Sequence, residues 1–328
     1  MRLVFCGTPE FAVPTLRRLL AEPGFNVDAV LTQPDRASGR GLETAVSPVK
    51  GVALAAGIPV HQPGKVRAPE TAEWLARLAP DAVVIVAYGQ IIPENLLSIP
   101  RLGWINVHAS LLPKYRGAAP IAWAVANGES RTGVTTMRIN AGMDTGPMLM
   151  RREMEIHAGE TAPELSARMA EAGAALLLET LRGLEHGTIA PQAQDDSRAT
   201  YAPMLKREDG RIDWSLTAQQ IDNRMRGFAP WPGAFTAFRG QRGHLWGRPH
   251  ASKAAALSPS LSTLTPTVEG TILPGTLLSN GADLDVMCGE GTLLRLEALQ
   301  LEGRKRVSAR EFLSGARLQP GERFGHPR

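Results

Sequence analysis

The chain has 328 residues, enough for two domains at about 150 each, and surface scaling puts roughly 75% of its unfolded surface in the interior, so no metal or disulfide is needed to hold a core. At 43% hydrophobic, 21% charged and 5% aromatic residues, with a formal charge of +4, it is not a collagenous, coiled-coil or largely disordered chain. Cys6 and Cys288 lack CxxC spacing, the apolar N-terminal stretch is too short for a secretory segment, and the longest apolar run, 82–88, falls far short of the ~20 residues of a membrane span. These features lead us to expect a soluble protein of the reducing cytoplasm with no membrane partner.

Leu3 to Cys6 reads as a short buried strand, followed by a Gly-Thr-Pro turn and a helix with Phe11, Val13, Leu16, Leu19 and Leu20 near helical spacing. A strand over Val27 to Thr32, a glycine-bearing loop and a helix opening at Ala68-Pro69 come next, and then the β-branched run Ala82 to Ala87, which suits a strand covered on both faces. Strands near Trp104–Val107, Val134–Arg138 and Met148–Glu153 flank a helix from about Ala119 to Ala126. Thr161-Ala-Pro-Glu164 is a capping box opening a long helix with Leu165, Met169, Leu176 and Leu177 among its apolar positions and Gly187 just past its end. The alternation predicts a Rossmann-like, open, mostly parallel α/β sheet over residues 1–187.

Residues 188–206, polar and carrying Pro191 and Pro203, read as a linker. Over 207–328 short apolar stretches at 277–278, 284–287 and 293–299 alternate with glycine turns, which predicts an antiparallel, OB-fold-like β-barrel. Residues 254–267, rich in Ala, Ser, Thr and Pro, read as a disordered insertion. The charge is divided along the chain: residues 1–199 carry 19 Lys/Arg against 20 Asp/Glu, net −1, and residues 200–328 carry 17 against 12, net +5. From Asn223 to Val268 six cations, including Arg224, Arg239, Arg242 and Arg248, occur with no carboxylate in the sequence. Such a stretch is a solvated basic face or a site for a polyanion.

The chemistry-bearing segment is Ile105 to Ile121. On a strand ending here, Asn106 and His108 alternate with Ile105 and Val107 and so share one face, at the end where open α/β sheets bind ligands. Asp144, in the glycine-flanked loop 141–147 after the next strand, could orient an imidazole and favour its protonated form. Asn, His and Asp together can stabilise an oxyanion and move a proton, while two satisfied polar groups in a strand are the plain alternative. No Ser or Cys lies in a nucleophile elbow, which favours direct transfer over a covalent enzyme intermediate. Gly39-Arg-Gly41 and Gly7-Thr-Pro9 match neither a P-loop nor a dinucleotide fingerprint.

Asn106-x-His108, Ser110-Leu-Leu-Pro113-x-Tyr115-Arg116-Gly117 and Asp144 resemble the folate-dependent formyltransferase superfamily. Gly7-Thr8-Pro9, Thr32 to Arg36, Ser47 to Lys50, Val86 to Gly89, Arg211 to Trp214 and Pro230-Trp231-Pro232 extend the likeness to the methionyl-tRNA formyltransferases over nearly the full length. The resemblance implies a donor, 10-formyltetrahydrofolate, an acceptor, initiator methionyl-tRNA, and no metal. It implies that Asn106 and His108 hold the oxygen of a tetrahedral intermediate, that Asp144 pairs with His108 in a proton relay, and that Ser110, Leu111, Leu112 and Pro113 line the folate site. Ordinary packing is an alternative for the two leucines, and Arg116 is expected to anchor its own loop through backbone carbonyls.

The resemblance also places tRNA contacts at Arg36, Arg40 and Gly41 in a mobile basic finger, although Leu42-Glu43 stand where some relatives carry lysines. It places further phosphate contacts at Arg224, Arg239, Arg242, Arg248 and the cluster of Arg304, Lys305 and Arg306. Phe228, Trp231, Phe235, Phe238 and Trp246, interleaved with these cations, are expected in a barrel core rather than stacked on bases. An amino-sugar-nucleotide or glycinamide acceptor, and a non-catalytic RNA-binding protein, are the competing readings.

Overall fold

A computed structural model describes residues 1–38, 43–250, 267–268, 271–279, 281 and 283–325. The chain divides into two units, one of 1–121, 130–157 and 164–203, the other of 122–129, 158–163 and 204–328.

The first unit is built on β1 (Arg2–Gly7), α1 (Val13–Ala21), β2 (Asn26–Leu31), β3 (Arg36–Ser38), β4 (Glu43–Ala45), α2 (Pro48–Ala55), β5 (Val60–His61), α3 (Pro69–Leu78), β6 (Ala82–Val86), α4 (Glu94–Leu97) and β7 (Trp104–His108). After α5 (Pro120–Ala126), whose last turns count with the second unit, come β8 (Arg131–Arg138), β9 (Met148–Glu155) and α6 (Ala162–Glu185). The main sheet has the order β5-β2-β1-β6-β7-β8-β9, parallel from β5 to β7, with β8 antiparallel to both neighbours. This is the expected open, mostly parallel sheet.

Alternation along the strands feeds two cores. Leu3, Phe5, Val84, Val86, Ile105 and Val107 pack with α1, α2 and the Leu177–Leu184 end of α6, and Val4, Cys6, Val83, Ile85 and Trp104 pack beneath α3 and α4. Each such side chain contributes about 1.5–3 kcal/mol on burial. Because Ile105 and Val107 go to the α6 side, Asn106 and His108 lie on the opposite face of β7. Helix α6 comes close at Gly173, where a Cβ would stand 2.7 Å from Val107 Cγ1, and its Thr180 hydroxyl bonds the Thr136 hydroxyl at 2.8 Å. The helix begins and ends where the capping box and Gly187 (φ +68°) indicate.

Residues 188–203, expected as linker, count with the first unit. There they pair backbone with Met148 through Gln192 and with Arg116 through Tyr201.

The second unit holds α7 (Ala218–Gly227), β10 (Phe235–Phe238), β11 (Gln241–His250), β12 (Thr267–Val268), β13 (Thr271–Ile272), β14 (Leu277–Ser279), β15 (Leu284–Met287), β16 (Leu293–Leu301), β17 (Val307–Ser308) and α8 (Ala309–Ala316). An antiparallel sheet runs β10-β11-β16-β15-β14, with β17 on β16, and β12 pairs with β13 in a separate two-stranded sheet. The unit's core sets an aromatic cluster among aliphatic side chains: Trp214 stacks on Phe324 at 5.7 Å, Phe238 meets Phe312 edge-on at 5.1 Å, and Trp214 Nε1 donates to Thr236 Oγ1. Of the expected insertion at 254–267, residues 254–266 lie outside the described residues.

Candidate active site

His108 closes β7 and is 6% exposed. Its Nε2 stands 2.9 Å from the Tyr115 carbonyl. A carbonyl only accepts, so Nε2 carries the proton and Nδ1 is the nitrogen left for chemistry. Nδ1 faces Asp144 Oδ2 at 3.7 Å, too far for a hydrogen bond in this state and close enough for the carboxylate to stabilise an imidazolium. Asn106, two residues earlier on the same face, is half-buried, and among the described residues its amide has no hydrogen-bond partner.

Asp144 reaches His108 by an indirect route. Because β8 is antiparallel to β7, with Ile105 opposite Arg138 and His108 opposite Thr135, the β8–β9 turn begins about 10 Å from His108. The turn doubles back, and its tip is held by bonds from elsewhere. Gly117 N donates to Asp144 Oδ2 at 2.8 Å, while Gln194 Nε2 donates to the carbonyls of Asp144 and Gly146, each at 2.7 Å. Asp144 itself sits at φ +52°, a left-handed conformation that costs a non-glycine residue about 1–2 kcal/mol; the bonds to its carboxylate and carbonyl offset that cost.

The Ser110–Pro113 segment is bound tightly to the fold. Ser110 Oγ donates to Lys114 O at 2.6 Å, Thr135 Oγ1 donates to Ser110 O at 2.7 Å, and the same Thr135 oxygen accepts from Leu112 N. Leu112 is fully buried against Met137 and Met148, so packing accounts for it, whereas Leu111 and Pro113 are half-buried. Tyr88 is 2% exposed and its hydroxyl has no hydrogen-bond partner among the described residues; burial, then the neighbouring Cys6, push that hydroxyl above its ordinary range. Arg116 anchors its loop as expected but through side chains instead of backbone carbonyls. Its guanidinium donates to Gln194 Oε1 at 3.0 and 2.8 Å and to Asp196 Oδ1 at 2.7 Å. Sequence reasoning missed Gln194 and the Tyr115 carbonyl, because neither a polar connector nor a main-chain atom leaves a motif.

A second feature at the carboxyl ends of β1, β2 and β6 is a cavity of about 410 Å³ lined by residues including Thr8, Gln33, Asp35, Ser47 and Tyr88. Lys50 pairs with Asp35, and Gln62 Nε2 donates to Asp35 Oδ1 at 2.9 Å. The bond from Lys50, then that from Gln62, holds the Asp35 carboxyl below the usual carboxylate range. Arg36 begins β3 just beyond this pair, while Arg40 and Gly41 lie outside the described residues.

On the second unit Arg304, Lys305 and Arg306 are exposed, with the Arg306 guanidinium 3.9 Å from the centre of the Trp246 ring. Two other candidate cations meet carboxylates from outside their own stretch: Arg239 pairs with Glu322 and Arg248 with Glu297. Phe228, Phe235 and Phe238 are core residues as expected, but Trp231 is 56% exposed. Among the described residues no cluster of three or more His, Cys, Asp or Glu side chains could hold a metal ion, and no helix is long and apolar enough to cross a membrane.

The formyl transferase family matches residues 1–181, and the formyl transferase C-terminal domain matches residues 204–317. The methionyl-tRNA formyltransferase of Solibacter usitatus is 55% identical over 326 residues, covering 99% of each chain. That of Geobacter metallireducens is 50% identical over 327 residues, again 99% of each. The N-formyltransferase of Helicobacter canadensis, solved in complex with folinic acid and dTDP-3-aminofucose, shares the fold with a TM-score of 0.62 at 17% identity, over 90% of this chain and 98% of that one. Matched in order through both halves, and sharing half its residues with full-length relatives, the chain belongs to the formyl transferase family.

Proposed function

We infer that the protein transfers a formyl group to the α-amine of methionyl-tRNA, with 10-formyltetrahydrofolate as donor and the initiator tRNA as acceptor, in the cytoplasm. The observation that carries this is the 55% identity to a methionyl-tRNA formyltransferase along the whole chain. Asn106, His108 and Asp144 support it, the latter two standing together in space. In this reading residues 1–187 carry the reacting groups, 207–328 hold the tRNA, and 188–206, packed with the first unit as far as 203, lead from one to the other.

The residues present suit a folate donor: Leu111 and Pro113 offer half-buried apolar walls, and the Asn106 amide is open to an oxygen. The donor supplies the formyl carbon; the chain's own groups manage charge and protons. With Nε2 engaged by Tyr115, His108 is poorly placed to hold an oxyanion, and that task falls to Asn106 Nδ2. His108 Nδ1 takes the proton shed by the attacking amine, Asp144 stabilises the resulting imidazolium across 3.7 Å, and the proton then passes to the leaving nitrogen.

The test is formyl transfer from 10-formyltetrahydrofolate to initiator and elongator methionyl-tRNA by the purified protein. We expect N-formylmethionyl-tRNA from the initiator; product only on an amino sugar nucleotide would overturn the reading. Asp144→Asn can keep an oxygen where Oδ2 faces both Gly117 N and Nδ1 but removes the negative charge, and kcat should fall by about 10²–10⁴. An Asp144→Asn enzyme with full kcat would remove the relay.

A further inference from the structure

We propose that Gln194 is a positioning residue for formyl transfer, acting through Asp144, and that the strap 192–202 carrying it aligns both partners of the His108–Asp144 pair. The proposal rests on the formyl-transfer reading.

The Gln194 carboxamide uses every hydrogen bond it can make. Both N–H groups donate, to Asp144 O and Gly146 O at 2.7 Å, and its oxygen accepts twice from Arg116, at 3.0 and 2.8 Å. Arg116 is 2% exposed, so the amide is locked from behind by a buried guanidinium while its front grips the carbonyl of the left-handed Asp144.

The same strap fixes the other side of the site. Thr200 Oγ1 accepts from Tyr115 N at 2.9 Å, Thr200 O accepts from Arg116 N at 2.8 Å, and Ala202 N donates to Arg116 O at 2.7 Å. Tyr115 supplies the carbonyl that sets the His108 tautomer, and Gly117 supplies the N–H on the Asp144 carboxylate. Gly117, at φ +120°, lies so near the strap that a Cβ would stand 2.6 Å from Ala202 O. One short segment thus binds the His108 partner and the Asp144 backbone at once. A small displacement of either member of such a pair costs rate.

Gln194→Glu is the informative variant. It still accepts from Arg116, which keeps the strap pinned, but turns a carboxylate oxygen toward the two carbonyls and frees the Asp144 loop. We expect kcat to fall about 10–100-fold, with KM for both substrates within about threefold and the thermal midpoint near that of the wild type. Gln194→Ala should lower kcat as much, but it also strips the buried Arg116 guanidinium of its acceptor and should lower the thermal midpoint. A role through Asp144 requires non-additivity: in an Asp144→Asn background, Gln194→Glu should cost almost nothing more, which a merely structural role would not produce. Wild-type kcat in Gln194→Glu, or losses that multiply fully in the double variant, would overturn the proposal while leaving the functional reading intact. A wild-type protein without formyl transfer would overturn both.

Discussion

At the scale of single residues, His108 Nε2 and Asp144 are held by partners fixed within the fold, whereas the Asn106 amide is left open. Arg116 shows how narrow the requirement is: a planar fork reaches Gln194 Oε1 with two nitrogens and Asp196 with one of them. Arg116→Lys keeps the charge and loses the fork, leaving a buried ammonium with at most part of this set. We expect a loss of about 2–3 kcal/mol in unfolding free energy, measured by denaturant titration, together with a lower kcat; unchanged stability would show the fork to be dispensable. That Asn106 and His108 share one face of β7 was legible in the sequence, because strand alternation fixes it. The orientation of His108 was not legible, since it depends on the Tyr115 carbonyl, and a backbone atom has no residue type. Leu112 illustrates the converse: a motif position expected at the folate site whose side chain is entirely consumed by packing on Met137 and Met148.

At the scale of elements, what the periodicity foretold is what hydrophobic burial enforces, and what it left out is short or polar. The runs at Leu3 to Cys6 and Ala82 to Val86 became β1 and β6 because both faces of those strands meet helices. The direction of β8 left no such trace, because an antiparallel neighbour buries the same alternating residues as a parallel one. In the sequence the hairpin of β3 and β4 reads as a loop, because three residues a strand give no period to detect. Its base is held by Lys50 and Gln62 on Asp35. The Asp35 carboxyl is depressed by those bonds, so their stabilisation is complete above the ordinary carboxylate range near pH 4 and is lost as pH falls through the lower folded value. Asp35→Asn should therefore speed amide exchange over residues 43–50 at neutral pH, and the difference from wild type should shrink in acid. Equal protection at neutral pH would show that the pair does not hold the hairpin.

At the scale of the whole molecule, the division of charge, net −1 over residues 1–199 and +5 over 200–328, is the feature that separates a tRNA acceptor from a small one. The stretch without carboxylates is less bare in space than in sequence, because Arg239 and Arg248 are matched by Glu322 and Glu297, which the net +5 already includes. Arg304, Lys305 and Arg306 follow the end of β16 as exposed cations, and Arg306 rests on Trp246. Phosphate contacts release counterions, so log affinity for tRNA should fall linearly with log salt, each lost contact reducing the slope by about 0.7–0.9. The variant Arg304→Ala, Lys305→Ala, Arg306→Ala should weaken tRNA binding and flatten that slope by about 2, with KM for the folate donor unchanged. The measurement is tRNA affinity from 50 to 300 mM salt on both proteins, a range set by the Debye length of about 10 Å at 0.1 M. A parallel shift of the line, weaker binding at the same slope, would mean that these cations act by packing, as Arg306 does on Trp246, and that the tRNA phosphates are met elsewhere on the basic half.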